Sequence, residues 1–261
     1  MTLSVAVITI NEEANIGALL ESVRAADERI VLDCGSTDRT LEIARAFGTK
    51  TFTEEWKGYT AQKNSGLDKA TGDWVLSLDA DEAVEPELME EIRQVLDHNP
   101  PVNGYYLPRK NYFLGRWMRH GGFYPDRKLR LFRRGQGRFA DRPVHETVQL
   151  DGPTGTLNHA LIHRAYPTLE GYIQHMNRYS SLGAEIAVAQ GRGRFSLLNI
   201  VVNPLATFAY NYFLRLGLLD GREGLLLHLY HSAYVSWKYA KAWELARIRT
   251  EAKTSATGPR R

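Results

Sequence analysis

The chain has 261 residues, of which 43% are hydrophobic and 24% are charged, a composition typical of an ordered globular protein and not of a disordered one. The 33 Lys and Arg residues nearly balance the 30 Asp and Glu residues, and a formal net charge of +3 gives no support to a nucleic-acid-binding protein with a concentrated basic face. The single cysteine, Cys34, excludes an intramolecular disulfide and a zinc site built from thiolates, and favours a reducing compartment. Since no secretory signal pattern is visible, we expect the protein in the cytosol or on the cytosolic face of a membrane.

Apolar strand patterns alternate with helical patterns up to about residue 100. Buried strands are predicted at 4–10, 30–32 and 74–78, and apolar residues at helical spacing follow at 16–23, 41–47 and 88–96. Asn11 is expected to cap the first helix, with Glu12 and Glu13 in its first turn. The alternation predicts right-handed βαβ units, and therefore an α/β fold with a mainly parallel sheet.

Polar clusters follow three of these strands. They are Asn11-Glu12-Glu13, the turn from Asp33 to Asp38, and Asp79-Ala80-Asp81. Ligands of parallel α/β sheets bind beyond the carboxyl ends of the strands. We therefore expect the three clusters to line one cleft.

Asp79 and Asp81 stand two residues apart at the end of a strand, where the chain turns and both carboxylates can face one cleft. Mg²⁺ and Mn²⁺ take oxygen ligands, often one or two carboxylates together with substrate phosphates. The pattern indicates a metal that bridges a diphosphate leaving group. The alternative is an acidic strand-to-helix turn without a ligand.

The turn from Asp33 to Asp38 has two interpretations. Asp33 can accept hydrogen bonds from a base or a ribose, or the segment is a tight turn that needs Gly35, with Ser36 or Asp38 capping the next helix. We assign Asp33 to the ligand and Asp38 mainly to the cap.

Beyond residue 100 aromatic and basic residues interleave. A strand is predicted at 129–132, and its alternation directs Arg130 away from the face of Leu129 and Leu131. Arg130 would reach a diphosphate or an anionic acceptor, or it belongs to an exposed strand face with solvated bases.

From about residue 167 the pattern is helical, and residues 195–214 carry no formal charge. This length approaches that of a transmembrane helix, but Asn199, Asn203, Pro204 and Asn211 interrupt the segment. Abundant Tyr and Trp residues with flanking bases favour helices at a membrane interface over a full span. The soluble alternative is a helical hairpin that packs on the catalytic domain or forms a dimer. We divide the chain into a catalytic domain (1–165), a helical and possible membrane-associated region (166–249) and a flexible tail (250–261).

Taken together, the motifs resemble one family. They are Val7-Ile-Thr-Ile-Asn-Glu-Glu13, Asp33-x-Gly-Ser-Thr-Asp38, Gln62-Lys-Asn64, Leu78-Asp-Ala-Asp-Glu82 and Val144-His-Glu146. The chain resembles family 2 glycosyltransferases with the GT-A fold, in particular the bacterial group that contains lipopolysaccharide core β-1,4-glucosyltransferases. The resemblance extends well over about residues 3–180 and more loosely over the C-terminal helices.

The resemblance implies a Rossmann-like, nucleotide-sugar-binding GT-A domain followed by C-terminal helices. It implies an inverting enzyme that uses Mg²⁺ or Mn²⁺. The enzyme would transfer a hexose, with glucose as the first candidate, from a UDP-sugar to a glycolipid or lipopolysaccharide core acceptor. Thr9 with Glu12 or Glu13 would line the nucleoside pocket, Asp33 would contact uracil, and Lys63 would lie near the phosphates. Asp79 would contact ribose or metal, and Asp81 would bind the metal.

An inverting transfer needs a base for the acceptor hydroxyl. Many members of the family place it in an acidic pair, where this chain has His145-Glu146. We assign Glu146 as the base, with Asp141 as the second candidate and His145 orienting the base or contacting phosphate. Alternatively, the segment ends a strand and pairs with Arg138 or Arg142.

Two other functions stay open at this point. The first is a polyprenyl-phosphate glycosyltransferase with the same donor site, and the second is a non-catalytic nucleotide-sugar or glycan-binding protein. For partners we expect a membrane surface on the cytosolic face of the inner membrane, no nucleic acid, and a possible homo-oligomer.

Overall fold

The computed structural model of the chain describes residues 1–140 and 147–256. The chain divides into two compact units. The first contains Met1–Tyr112 and Tyr124–Ala165, and the second contains Phe113–Phe123 and the chain from Tyr166 onward.

Strands dominate the first unit, and the longest helices belong to the second. The strands are β1 (Leu3–Thr9), β2 (Glu28–Asp33), β3 (Lys50–Thr53), β4 (Trp74–Asp79), β5 (Glu82–Val84), β6 (Gly104–Leu107), β7 (Arg109–Phe113), β8 (Arg116–Trp117), β9 (Lys128–Arg133), β10 (Gly137–Ala140), β11 (Thr147–Leu150), β12 (Thr154–Thr156) and β13 (Leu161–Tyr166). The α-helices are α1 (Ile16–Ser22), α2 (Thr40–Ala46), α3 (Tyr59–Asp68), α4 (Pro86–Asp97), α5 (Leu169–Ala189), α6 (Asn203–Ala209) and α7 (Gly221–Ala256).

A seven-stranded sheet in the order β12-β6-β9-β4-β1-β2-β3 is the centre of the first unit. The neighbours β3, β2, β1 and β4 are parallel, whereas β9 runs antiparallel to both β4 and β6. A smaller sheet contains β5, β13 and β7 in that order. The expected α/β class, with a mainly parallel sheet and C-terminal helices, is therefore confirmed.

The central strands are buried because both faces of the sheet carry apolar residues. On one face, Val5 and Val7 of β1 pack into the same cluster as Leu19, Leu20 and the apolar stripe of α4. On the other face, a smaller cluster contains Ala6, Ile30, Val75 and Phe132. Covered on both sides, these strands read as continuous apolar runs, which is why the sequence reveals them.

The predicted start of the first helix was wrong. Helix α1 begins at Ile16, and Asn15 holds the position that we expected for Asn11. Asn11 has a φ of 53°, in the left-handed region that asparagine tolerates, so the helix cannot start there. Its side chain is used elsewhere, as described below.

The described part of the second unit is mainly helical and contains the short strand β8. Helices α5 and α7 pack together around Tyr172, Met176 and Leu227. They are connected by α6, by π-helical turns at Leu198–Val202 and Tyr210–Leu214, and by a 3-10 turn at Gly217–Asp220. In the described part of the chain, no helix has the length and apolar content needed to cross a bilayer.

Helix α7 extends through Ala256, whereas the sequence analysis placed a flexible tail from residue 250. The segment after Thr250 contains Ala, Glu and Lys, which are good helix formers. Arg247 and Glu251 also pair one turn apart, with 3.7 Å between Nε and Oε1.

Candidate functional site

Three carboxyl strand ends lie side by side at one edge of the central sheet. Thr9 at the end of β1 is opposite Asp33 of β2, and Ile8 is opposite Asp79 of β4. This register follows from parallel pairing, which aligns the ends of neighbouring strands. The polar residues that follow these strands therefore start from the same edge.

The loops after β1 and β2 are joined by hydrogen bonds. The Asn11 amide donates to Ser36 Oγ at 2.9 Å, and Asn11 Oδ1 accepts from the Thr37 amide at 2.8 Å. The Glu12 amide donates to Thr40 Oγ1 at 2.8 Å. Asn11 thus joins two loops of the site, a structural role that accounts for its left-handed backbone.

Glu13 and Asp38 strengthen the same junction. Asp38 accepts hydrogen bonds from the Thr40 amide at 3.0 Å, near the start of α2, and from the Glu13 amide at 3.1 Å. The Glu13 carboxylate accepts from the Arg39 amide at 3.0 Å. The N-cap position of α2 is Arg39 and not Asp38, but Asp38, one residue earlier, satisfies the first amide of the helix. Glu13 holds the loop.

Glu12 occupies a position that disfavours its charge. Burial raises the pKa of Glu12, the hydrogen bond from Asn15 opposes this effect, and the negative charges of Asp81 and Asp38 add to the increase. The influence of Asp81 places Glu12 on the same side of the sheet as the third polar cluster.

Asp33 is fully buried and organises its own turn. Its Oδ2 accepts from the amides of Gly35 and Ser36, both at 2.9 Å, and its Oδ1 accepts from the Ser36 hydroxyl. Gly35 has a φ of 97°, a conformation that favours glycine. The turn interpretation therefore describes Asp33 as it stands, and its contact with a nucleobase stays a prediction.

Asp79 lies between two cations. Its Oδ1 is 2.7 Å from Nζ of Lys63, and its Oδ2 pairs with Nη2 of Arg130. Burial alone would raise the pKa of Asp79, but Arg130 and Lys63 hold it well below the usual range. Asp79 is therefore ionised, and each of its oxygens has a basic partner.

Glu82 extends this network into the interior. Its side chain is buried, its Oε1 is 2.9 Å from Arg130 Nη2 and 3.1 Å from Arg109 Nη1, and its Oε2 accepts from the Asp79 amide at 3.0 Å. Arg109 also contacts Asp126 at 2.6 Å. Burial alone would raise the pKa of Asp126, but Arg109 and Lys128 lower it to about 2.

The burial of Arg130 excludes one of the two alternatives left open by the sequence, and its contact with a diphosphate or an anionic acceptor stays a prediction. Only 6% of Arg130 is exposed, so it does not belong to a solvated strand face. The sequence analysis missed the roles of Glu82, Arg109 and Asp126. The signal available in the sequence was a pair of arginines in strand segments, Arg109 at the start of β7 and Arg130 between Leu129 and Leu131 of β9.

Asp81 faces a histidine from a distant strand. Nε2 of His163, on β13, is 3.2 Å from Asp81 Oδ2, and Nδ1 of His163 is 2.7 Å from Asn111 Oδ1. The Asp81 carbonyl accepts from the Arg164 amide at 3.0 Å, which aligns the two segments. His163 lies 82 positions after Asp81 along the chain, and no local motif marks it.

Among the described residues, eight buried polar side-chain atoms lack a hydrogen-bond partner, and three of them are near this edge of the sheet: Thr9 Oγ1, Gln62 Nε2 and Arg130 Nε. Thr9 and Arg130 belong to the strand edge described above, and α3, which carries Gln62, packs against β1. Buried polar groups are rarely left without partners, so unsatisfied atoms beside a cluster of charged residues indicate a place where a polar ligand binds.

The assigned catalytic residues, Asp141, His145 and Glu146, lie outside the described residues. Within the described ranges, no group of three or more His, Cys, Asp or Glu side chains is arranged to hold a metal ion. The pair of Asp81 and His163 offers one oxygen and one nitrogen. A metal at this place would need further ligands from the substrate or from water.

Comparison with known proteins identifies relatives over most of the chain. Residues 4–150 match the family model of glycosyl transferase family 2. The chain is 31% identical to the lipopolysaccharide core biosynthesis glycosyltransferase LpsC of Rhizobium meliloti, over 85% of this chain and 82% of that protein. It is 29% identical to an uncharacterized glycosyltransferase of Rickettsia typhi, over 95% of this chain and 86% of that protein. Among solved structures, S. aureus TarS in complex with UDP aligns with a TM-score of 0.48 and 17% identity, over 95% of this chain and 92% of the other.

Proposed function

The chain belongs to glycosyl transferase family 2, and from this we propose that it transfers a hexose from a UDP-sugar to a lipopolysaccharide core or other lipid-linked glycan. Glucose is the first candidate for the hexose. The similarity to LpsC, named for lipopolysaccharide core biosynthesis, supports this class of acceptor. We place the reaction on the cytosolic face of the inner membrane, where such an acceptor is held in the lipid.

The observation that carries the proposal is the charged network around Asp79 together with the unsatisfied polar atoms beside it. Lys63 and Arg130 supply two positive charges at the carboxyl edge of the sheet, where a diphosphate binds in α/β folds. Arg130 Nε and Thr9 Oγ1 are buried without partners among the described residues and gain them when a nucleotide enters. Unsatisfied polar atoms that lie directly beside charged side chains support a site for a charged, polar ligand.

Asp81 is the better metal ligand of the two aspartates. Both carboxylate oxygens of Asp79 have basic partners, whereas among the described residues the Asp81 carboxylate pairs with His163 through one oxygen, Oδ2. Asp81 and His163 would hold Mg²⁺ or Mn²⁺, with the donor diphosphate completing the coordination. Such a metal neutralises the charge that develops on the leaving diphosphate. Asp79 fits a contact with the ribose, and it fixes Lys63 and Arg130 in place.

The acceptor hydroxyl attacks the anomeric carbon from the side opposite the diphosphate, which inverts the configuration. Glu146 is our proposal for the base that accepts the hydroxyl proton, with Asp141 as the second candidate. His145 would orient Glu146 or contact a phosphate. These roles follow from the family resemblance and from the need for a carboxylate at the acceptor.

A panel of nucleotide sugars tests the proposal. Each is incubated with the purified protein and Mg²⁺ or Mn²⁺, with and without a lipopolysaccharide core acceptor, and released UDP and glycan product are measured. We expect turnover with a UDP-hexose that chelation abolishes, and a product of inverted anomeric configuration by NMR. A product that partitions into organic solvent only when a polyprenyl phosphate is supplied would favour that acceptor instead. Tight UDP binding without any turnover would contradict the transferase and favour a binding protein.

A further inference from the structure

The connection between α5 and α7 presents apolar side chains outward. Six of them lie between residues 198 and 214, four in the first eight residues and two at the end, and their exposed fractions range from 46% to 75%. We call this set the apolar ridge, and it consists of Leu198, Val201, Val202, Leu205, Phe213 and Leu214. Seventeen helical residues span roughly 25 Å, so the ridge has members at both ends of a segment of about that length.

The side of the same segment that is turned inward includes polar residues. Asn199 and Asn203 are half-buried and bonded to each other, with Nδ2 of Asn203 2.9 Å from Oδ1 of Asn199. Ser236 of α7 donates to the carbonyl of Ile200 at 2.8 Å. This arrangement is the reverse of a surface helix in water, whose apolar stripe faces the core. An exposed apolar stripe of this length marks a surface that is covered by an apolar partner.

The charges around the ridge identify the partner. Residues 190–219 contain Arg192, Arg194 and Arg215 and no Asp or Glu. All three arginines are exposed, and they stand at the two ends of the ridge. Two copies of the chain pressed together along this face would bring like charges together, whereas an anionic lipid surface offers both apolar chains and negative headgroups.

An aromatic pair near the first end agrees with this partner. Phe195 and Trp243 pack edge to face with 5.4 Å between their ring centroids, and both side chains are exposed. Tryptophan prefers the headgroup layer of a bilayer. We propose that the apolar ridge inserts into an anionic lipid surface and lies parallel to it, with Arg192, Arg194 and Arg215 at the lipid phosphates.

The inference rests on the proposed function only for its biological setting, a membrane that holds the acceptor. Vesicle binding is therefore measured on the full-length protein without donor or acceptor, and sugar transfer is measured separately in detergent. Binding without transfer would leave the ridge assigned and the proposed function refuted, and transfer without binding would do the opposite.

The test is vesicle flotation with phosphatidylcholine alone and with an equal mixture of phosphatidylcholine and phosphatidylglycerol. The wild type should float with the anionic vesicles, less with the neutral ones, and less in high salt. Replacing two ridge residues (Leu205→Glu with Phe213→Glu) should lower the partition coefficient between vesicle and water by roughly a hundredfold. The reason is that two apolar side chains that the lipid would bury are lost. The matched control is Ile248→Glu, since Ile248 is 51% exposed in the same unit and is not part of the ridge.

The arginines are tested separately. Arg192→Gln with Arg194→Gln should weaken binding to anionic vesicles roughly tenfold to thirtyfold and leave binding to neutral vesicles unchanged. Circular dichroism and UDP binding check that each variant is folded. The proposal is overturned if the wild type stays soluble with both vesicle types, or if the ridge variant floats as well as the Ile248→Glu control. A wild-type dimer that the ridge variant dissociates, without vesicle binding, would assign the ridge to a second copy instead.

Discussion

Arg130 is buried between the carboxylates of Asp79 and Glu82, where it compensates the negative charge of the buried Glu82 and of the partly buried Asp79. Removing one partner of a buried charged network leaves the other charges uncompensated. Arg130→Met is therefore expected to lower the free energy of unfolding by about 3 kcal/mol in urea denaturation at neutral pH.

The control for this variant is Arg45→Met, at an exposed position of α2. It should change the free energy of unfolding by less than about 0.5 kcal/mol. Equal losses in the two variants would show that the network around Arg130 contributes nothing particular to stability.

Glu146 is the proposed base, and replacing it distinguishes an effect on the transfer rate from an effect on UDP binding. Glu146→Gln keeps the size of the side chain and removes its basicity, so kcat should fall by about a hundredfold or more while UDP affinity is retained. Steady-state kinetics and calorimetric titration with UDP measure the two quantities. A parallel fall in both would make Glu146 a donor-site or structural residue, and Asp141→Asn would then be tested as the second candidate.

The individual residues of the site differ in how far the sequence could reveal them. Asp79 and Asp81 were visible because they follow a buried strand within one short motif. His163 and Arg109 were not visible, because their contacts with Asp81 and Glu82 arise only when separate strands come together. Asn11 was placed in the wrong role for a related reason, since its partners are in another loop.

Among the elements, α7 contains a histidine in an unusual environment. His228 is 1% exposed, and neither ring nitrogen has a partner among the described residues. A Cβ added at Gly121 or Gly217 would collide with its ring, so the imidazole is tightly enclosed. Burial, followed by the neighbouring His231, lowers the pKa of His228 to about 4, although Asp220 opposes the shift.

This depressed pKa predicts a loss of stability in mild acid. The unfolded chain binds a proton at His228 below about pH 6.5, whereas the folded protein resists protonation until about pH 4. Between these values folding becomes less favourable, by roughly 3 kcal/mol in total. Urea denaturation between neutral pH and pH 4 should show this loss in the wild type and a flatter dependence in His228→Leu.

His98→Leu is the control for this measurement, because His98 is exposed at the end of α4. It should keep the wild-type pH dependence. An unchanged acid-induced loss in His228→Leu would mean that another group is responsible.

Strands and helices with clear periodicity could be predicted from the sequence, and α3 could not. The helix at Tyr59–Asp68 buries Gln62 and Lys63 next to Gly66 and Leu67, so its inward face is half polar. Periodicity methods detect apolar faces, and a helix that turns polar groups toward a ligand site escapes them. The Gln62-Lys63-Asn64 motif was visible only through the family resemblance.

For the whole molecule, the α/β class followed from alternating strand and helix patterns, because parallel βαβ units leave a regular trace in the sequence. The second unit was harder to interpret. Its uncharged segment has the composition of a membrane helix, but in the structure it alternates between π-helical and α-helical turns that present apolar residues outward. The three-dimensional arrangement is needed to distinguish an exposed apolar ridge from a transmembrane helix.

We propose that the strand-end site binds a UDP-sugar through a metal held by Asp81. The direct measurement is calorimetric titration of UDP into the protein with Mn²⁺ and with chelator, for the wild type, for Asp81→Ala and for the control Asp97→Ala at an exposed position of α4. We expect Mn²⁺ to strengthen UDP binding at least about tenfold in the wild type and in the control, since metal and diphosphate bind together. In Asp81→Ala the fold should be intact, the effect of Mn²⁺ lost and sugar transfer abolished. An Asp81→Ala variant with metal-dependent UDP binding and full transfer would contradict the account.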